Sequence, residues 1–217
     1  MQALVTGAVV SVLYLFSQGL DAQTKEIRGL PPRTTAADYQ ANAAAGTLTI
    51  GAEFLGHAVP TEKGTLSTET FVVVEAGIFG QPDAGIKLSL EDFSLRINGK
   101  KDPLPSQSFG LVGKSLKDPE FEPPAAASPS KTKTNINGGG GGGQVDSNAP
   151  PAPVHIPIEV QRSMQQRVQK AALPEGDRTL PVAGLLFFQY SGKAKSIRSV
   201  ELMYNGPAGK ATLELQP

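Results

Sequence analysis

Between Lys117 and His155 the chain loses the marks of a core-forming sequence, and this tract constrains what the rest can fold into. It carries Pro123-Pro124, a run of alanines, a Ser/Lys/Thr stretch, consecutive glycines from Gly138 to Gly143, and Pro150-Pro151-Ala152-Pro153. Such a composition buries too little apolar surface to offset its ordering entropy. A β-rich segment remains on each side. The first, Gly46 to Val112, has alternation and turn signals for about four strands, and the second, Leu180 to Leu215, for about three. A sheet that small makes a poor core alone. Joined, the segments supply the strand number of a sandwich, and closing a long loop costs only modestly more than closing a short one. The expectation is a mainly β chain with a single domain over residues 46–217. It would be an antiparallel β-sandwich of seven or eight strands with one short helix and a long disordered insertion at 117–155.

The strand signals differ in kind. Leu48, Ile50 and Phe54 fall at even positions, a half-buried pattern. Phe71-Val72-Val73-Val74 is β-branched and apolar on both faces, as in a covered central strand. Gln81-Pro82-Asp83-Ala84-Gly85 is a turn. Ile86, Leu88 and Leu90 alternate with polar residues, as do Phe93, Leu95 and Ile97, with a shift of face at Glu91-Asp92 that predicts a bulge or break. Asn98-Gly99 predicts a hairpin turn. The Pro-containing segment from Leu104 to Val112 reads as an edge strand. Beyond the tract, Val160, Met164, Val168 and Ala171 or Ala172 recur at helical spacing, and Leu173-Pro174-Glu175-Gly176 ends that helix. In the strand from Leu180 to Tyr190, Leu185 and Phe187 face one way and Leu186, Phe188 and Tyr190 the other. Further strands are expected at Ile197 to Tyr204 and Ala211 to Leu215.

Residues 1–22 read as a signal peptide. The apolar run from Ala3 to Phe16 has the length of a signal-peptide core and is shorter than a membrane-spanning helix, and Ala22–Gln23 is a plausible cleavage point. No Lys or Arg precedes Lys25, and Leu20 is large for its place, so a buried helix and an uncleaved anchor stay open as alternatives. Residues 23–45 read as a flexible leader, with a short helix near Ala36 to Ala45. Export, to the periplasm or the medium, is the expectation.

Composition excludes several classes. Lys plus Arg equals Asp plus Glu at 20 each, which gives no basic surplus for nucleic acid. The absence of cysteine removes disulfides, thiolate nucleophiles, Cys-ligated metals and lipidation of a lipoprotein cysteine. Val112-Gly113-Lys114-Ser115 matches the end of a phosphate-binding loop, but Ser108 stands where that motif needs glycine. The only histidines, His57 and His155, lie far apart in sequence. The carboxylate pairs Glu91-Asp92 and Glu175 with Asp177 fall at turns. No catalytic, cofactor-binding or metal residues are therefore assigned, and no cofactor is expected. Two features suit partner contact: the strand aromatics Phe188 and Tyr190, and the helix cations Arg162, Arg167 and Lys170. If the helix covers the sheet at Phe187 and Phe188, both faces of that strand are core.

The runs Phe71-Val72-Val73-Val74-Glu75-Ala76-Gly77-Ile78-Phe79 and Leu180-Pro181-Val182-Ala183-Gly184-Leu185-Leu186-Phe187-Phe188, with Phe93-Ser94-Leu95 and Ser199-Val200-Glu201-Leu202, resemble the immunoglobulin-like domains of unknown function of bacterial exported proteins. The resemblance implies a fold and an envelope setting, and no site residues. Together these features point to a non-catalytic exported binding or structural module whose partner is an unidentified protein or glycan of the envelope. The alternatives are a carboxylate-dependent hydrolase acting on glycans and an assembly subunit pairing through an edge strand or the aromatic face. The mature chain would hold no transmembrane segment, and oligomeric state is left open.

Overall fold

The computed structural model describes residues 29–121 and 156–217. Its strands are β1 (Ala41–Ala45), β2 (Leu48–Gly56), β3 (Ala58–Thr61), β4 (Gly64–Thr68), β5 (Phe71–Phe79), β6 (Gly85–Leu88), β7 (Phe93–Ile97), β8 (Leu104–Gln107), β9 (Leu116–Lys117), β10 (Gly176–Thr179), β11 (Val182–Gln189), β12 (Val200–Gly206) and β13 (Gly209–Leu215). Two helices accompany them: α1 (Phe109–Val112), a single turn, and α2 (Ile158–Ala171).

The fold is mainly β. One eight-stranded antiparallel sheet runs in the order β1-β2-β5-β11-β8-β7-β12-β13. Strands from before and after the Gly/Pro tract alternate in it, because β11 inserts between β5 and β8 and β12 pairs with β7. The sheet curls until β13 lies beside β1, so the eight strands are nearly a barrel. At that seam the Gln40 amide donates to Gln216 O at 3.0 Å, and the β1–β2 turn at Gly46 packs on the β12–β13 turn at Ala208. Gly46 has φ +61°, and a Cβ there would lie 2.0 Å from Ala208 O, so this close approach requires glycine. Where two separate facing sheets were expected, β8 joins β1-β2-β5-β11 to β7-β12-β13, with only two residue pairs on each side.

The sheet's two faces make two cores. Inside the curl, Ile50, Val72, Val74, Leu95, Leu186 and Phe188 are buried together with residues of β12 and β13. Outside it, Val73, Leu185 and Phe187 pack under Met164, Val168 and Ala171 of α2, whose apolar stripe is the one its sequence spacing predicts. The β3–β4 hairpin and β9 complete this second cluster with Val59, Leu66 and Leu116. The helix therefore covers the face beneath it, and β11 is buried on both sides.

Three further expectations are corrected. Residues 30–45 are not a loose leader: Leu30 bridges to Ala183, Ala36–Asp38 form a 3-10 turn, and Ala41–Ala45 form β1. Alanines have weak strand preference, but here Ala41, Ala43 and Ala45 pack on the inner core and β1 lies beside β13. The segment at Leu104 is not an edge. β8 lies between β7 and β11, and its proline is accommodated because Pro105 pairs with β7 alone, β11 reaching only Ser106 and Gln107. Lys117 pairs with Ser67, and Asp118 forms an ion pair with Arg167, so ordered structure runs past the expected start of the tract. The break expected at Glu91-Asp92 is present, as a 3-10 turn over Leu90–Asp92 between β6 and β7. The signal segment 1–22, residues 23–28 and the tract from 122 to 155 lie outside the described residues.

Candidate ligand-binding site

The end of the curl where β5 finishes is built from three turns and a ribbon. Gln81 to Ala84 form a turn closed by Ala84 N–H on Gln81 O at 3.1 Å, with Asp83 at φ 62° after Pro82. The chain then enters β6, which pairs with β10 as a two-stranded ribbon across the opening. Ala84 and Leu180 fasten this ribbon to the barrel through Leu180 N–H on Ala84 O at 3.0 Å. The Gly46 and Ala208 turns stand opposite.

Between them lies a half-open cavity of about 640 Å³. Leu48, Leu180 and Ile86 give it an apolar floor, with Pro207 and Ala208 as one wall. Thr47, Gln81 and Lys87 stand at its edge as polar groups. The volume is that of a small-molecule site, and barrel mouths are a usual place for one. The shape follows from local sequence. The Gly46 contact joins the two turns of one wall, while alternation in β6 turns Ile86 inward and leaves Lys87 at the rim.

Beneath the Ala208 wall lies Tyr204, which is 2% exposed and whose ring meets Phe93 at 5.1 Å between centroids. Its hydroxyl is buried without a hydrogen-bond partner among the described residues. Burial and then the Asp92 charge push its phenol above the usual range; Ala208 N–H offsets part of this from a geometry too poor to be a hydrogen bond. Burial also raises the Asp92 carboxyl, against Ser89 N–H, which lowers it.

The residues singled out for partner contact are scattered. Phe188 is fully buried in the inner core, so it is held within the fold. Tyr190 is half-buried, its hydroxyl 3.1 Å from Ser196 Oγ. Arg167 is engaged inside the molecule, donating to Asp118 at 2.9 Å, Thr61 Oγ1 at 3.2 Å and Lys63 O at 2.7 Å. Arg162 and Lys170 are exposed on α2. None of the five lines the barrel mouth. The mouth residues were missed because apolar residues at strand ends look like core, and only the three-dimensional gap distinguishes them.

Other polar groups have local roles. His57 Nδ1 lies 2.6 Å from Phe71 O and Nε2 3.3 Å from Gly192 O, at the opposite end of the barrel; His155 lies outside the described residues. Ser115 of the glycine-lysine-serine run donates to Val112 O at 2.9 Å. Glu53 and Glu75 stand opposite each other across β2 and β5, and Arg33 binds both. Among the described residues no group of three His, Cys, Asp or Glu is placed to hold a metal ion, and no helix is long and apolar enough to cross a membrane.

Comparison with known proteins finds no matching family model, no matching curated protein and no matching solved structure.

Proposed function

We propose that this protein is a non-catalytic binding module of the cell envelope, exported to the periplasm or secreted, and that its ligand seats in the barrel mouth. The cavity of about 640 Å³ floored by Leu48, Leu180 and Ile86 carries this reading. Its lining suits a small, mostly apolar ligand with one polar end directed at Lys87 or Gln81. A glycan would need more hydrogen-bonding groups than this rim supplies. The apolar run from Ala3 to Phe16 supports export. The facing halves β1-β2-β5-β11 and β7-β12-β13, linked through the short β8, support placing the fold among immunoglobulin-like sandwiches, as their core sequence pattern also does.

The hydrolase reading gains nothing from the carboxylates. Glu53 and Glu75 are both tied to Arg33, and neither lines the mouth, whereas general acid–base work needs a carboxyl in reach of substrate. The test is binding of an apolar fluorescent probe, anilinonaphthalene sulfonate, to the native chain. Saturable binding that Ala84→Trp abolishes without lowering Tm is the expected result. Binding that survives Ala84→Trp, or no saturable binding, rejects the mouth as the site.

A further inference from the structure

A half-open groove of about 220 Å³ lies where α1 meets α2. Phe109 and Gly110 of α1 and Arg162, Gln165, Gln166 and Gln169 of α2 line it. The α2 residues recur at spacings of three and four, so they form one stripe, beside the apolar stripe that faces the sheet. Two glycines shape the space. Gly113, just after α1, lets the chain close on the helix, since a Cβ there would lie 2.6 Å from Gln165 Nε2. Gly110 leaves the groove open: a Cβ on it would meet only Ser108 Oγ, at 3.9 Å.

The lining has a distinct chemistry. A glutamine amide both donates and accepts hydrogen bonds, as a sugar hydroxyl does, and a guanidinium edge is shaped for a carboxylate. Arg167 of the same helix is engaged inside the molecule by Asp118, Thr61 and Lys63. Arg162 and the three glutamines make no side-chain hydrogen bond to any described residue; Arg162 and Gln166 are exposed, and Gln165 and Gln169 are half-buried. No carboxylate lines the groove, and Glu159, one turn before Arg162, lies outside it. Arg162 is therefore its one charge. Phe109, half-buried against the outer cluster, adds an apolar aromatic surface. A purely apolar ligand would strand the amides without partners, and a bare small anion would use Arg162 alone. A ligand that carries a carboxylate, several hydroxyls and a C–H face uses the whole lining.

We propose that the groove between α1 and α2 binds an acidic saccharide, its carboxylate on Arg162, its hydroxyls on Gln165, Gln166 and Gln169, and the C–H face of a ring against Phe109. The groove shares no residue with the barrel mouth, so the two sites are tested independently.

The experiment is a titration of the full chain, isotopically labelled, with trigalacturonate, maltotriose and acetate, following the Arg162 Nε–H and the glutamine side-chain amides by NMR. Saturable shifts at millimolar trigalacturonate are expected, with maltotriose bound about tenfold more weakly, the scale of one lost charged hydrogen bond, and acetate weaker still. Arg162→Gln should bring trigalacturonate down to the maltotriose level. Gly110→Trp fills the groove from an open position and should abolish binding of both sugars with Tm unchanged. The pair Gln166→Ala and Gln169→Ala should weaken both sugars about tenfold or more, and serves if Gly110→Trp does not fold. No saturable shift with trigalacturonate overturns the proposal. So does maltotriose or acetate binding as tightly as trigalacturonate, or binding that survives either groove variant undiminished.

Discussion

The outer face of β5 is covered in two ways along its length, and the contrast separates two kinds of stabilisation. Its first half turns Phe71 and Val73 outward beneath α2, in an apolar cluster with Met164, Val168 and Phe187. Its second half turns Glu75, Gly77 and Phe79 outward, and no helix lies there. Instead the segment before β1 straps across. The Tyr39 ring lies flat over Gly51 and Gly77, with its edge toward Phe79 at 6.0 Å between centroids. The Arg33 guanidinium sits 4.4 Å from the Tyr39 ring centre and binds Glu75 twice, at 3.3 and 3.0 Å, as well as Glu53. The helix half rests on area removed from water, which salt and pH scarcely touch. The strap half rests on one ring, two glycines and a cation between two carboxylates, so its strength depends on solution conditions.

The largest effect should come from breaking the helix half. Phe187→Ala empties the centre of the outer cluster and should cost about 3–5 kcal/mol in a urea melt, with little dependence on salt. Next comes the strap's seat. A Cβ on residue 77 would lie 2.4 Å from the Tyr39 hydroxyl and 2.9 Å from the Phe79 ring, so Gly77→Ala should lift the ring and cost about 1–3 kcal/mol. Smaller again is Arg33→Ala, expected at about 1 kcal/mol at low salt because Arg33 and Glu53 are both about a third exposed. Its cost should shrink in ~1 M salt, where charges are screened within ~3 Å. A cost that does not respond to salt would assign the strap to packing and erase the contrast.

The smallest effect is alkaline. Burial holds the Tyr39 phenol above its ordinary value of 10.0; Arg33 N–H lowers it in part and the Glu75 charge adds to the rise. A folded pKa above the unfolded one means the strap's contribution is complete below the unfolded value and is lost as pH rises through the folded one. Tyr39→Phe should remove that loss, so the parent should lose stability relative to the variant only above the ordinary phenol range. A difference unchanged by pH would show that the phenol does not report on the strap.

Much of the fold was legible where a residue's surroundings are set by its near neighbours. The stripe Met164, Val168 and Ala171 predicts both the helix and the face it buries, and Phe71 to Val74 marks the central strand. The strap and β1 were not legible. Ala41 to Ala45 carry almost no strand preference; they pair with β2 through the turn at Gly46 and lie beside β13, some 170 residues away in the chain. Arg33 looked like any polar residue in a leader, since its partners come from β2 and β5. Asn98-Gly99 did signal its turn, with both residues at positive φ. The barrel mouth was hidden for another reason: Leu48, Ile86 and Leu180 obey the same alternation as true core, and a void has no sequence pattern of its own.

The seam between β1 and β13 bears on how copies of this chain treat one another. β1 is a short stave of small side chains, paired through its backbone on one side only. Were it to leave, β2 would gain an open edge and β13 would lose its cover, two templates for strand exchange with a second molecule. The five residues from Ala41 to Ala45 therefore stand between two strand edges that would otherwise lie open.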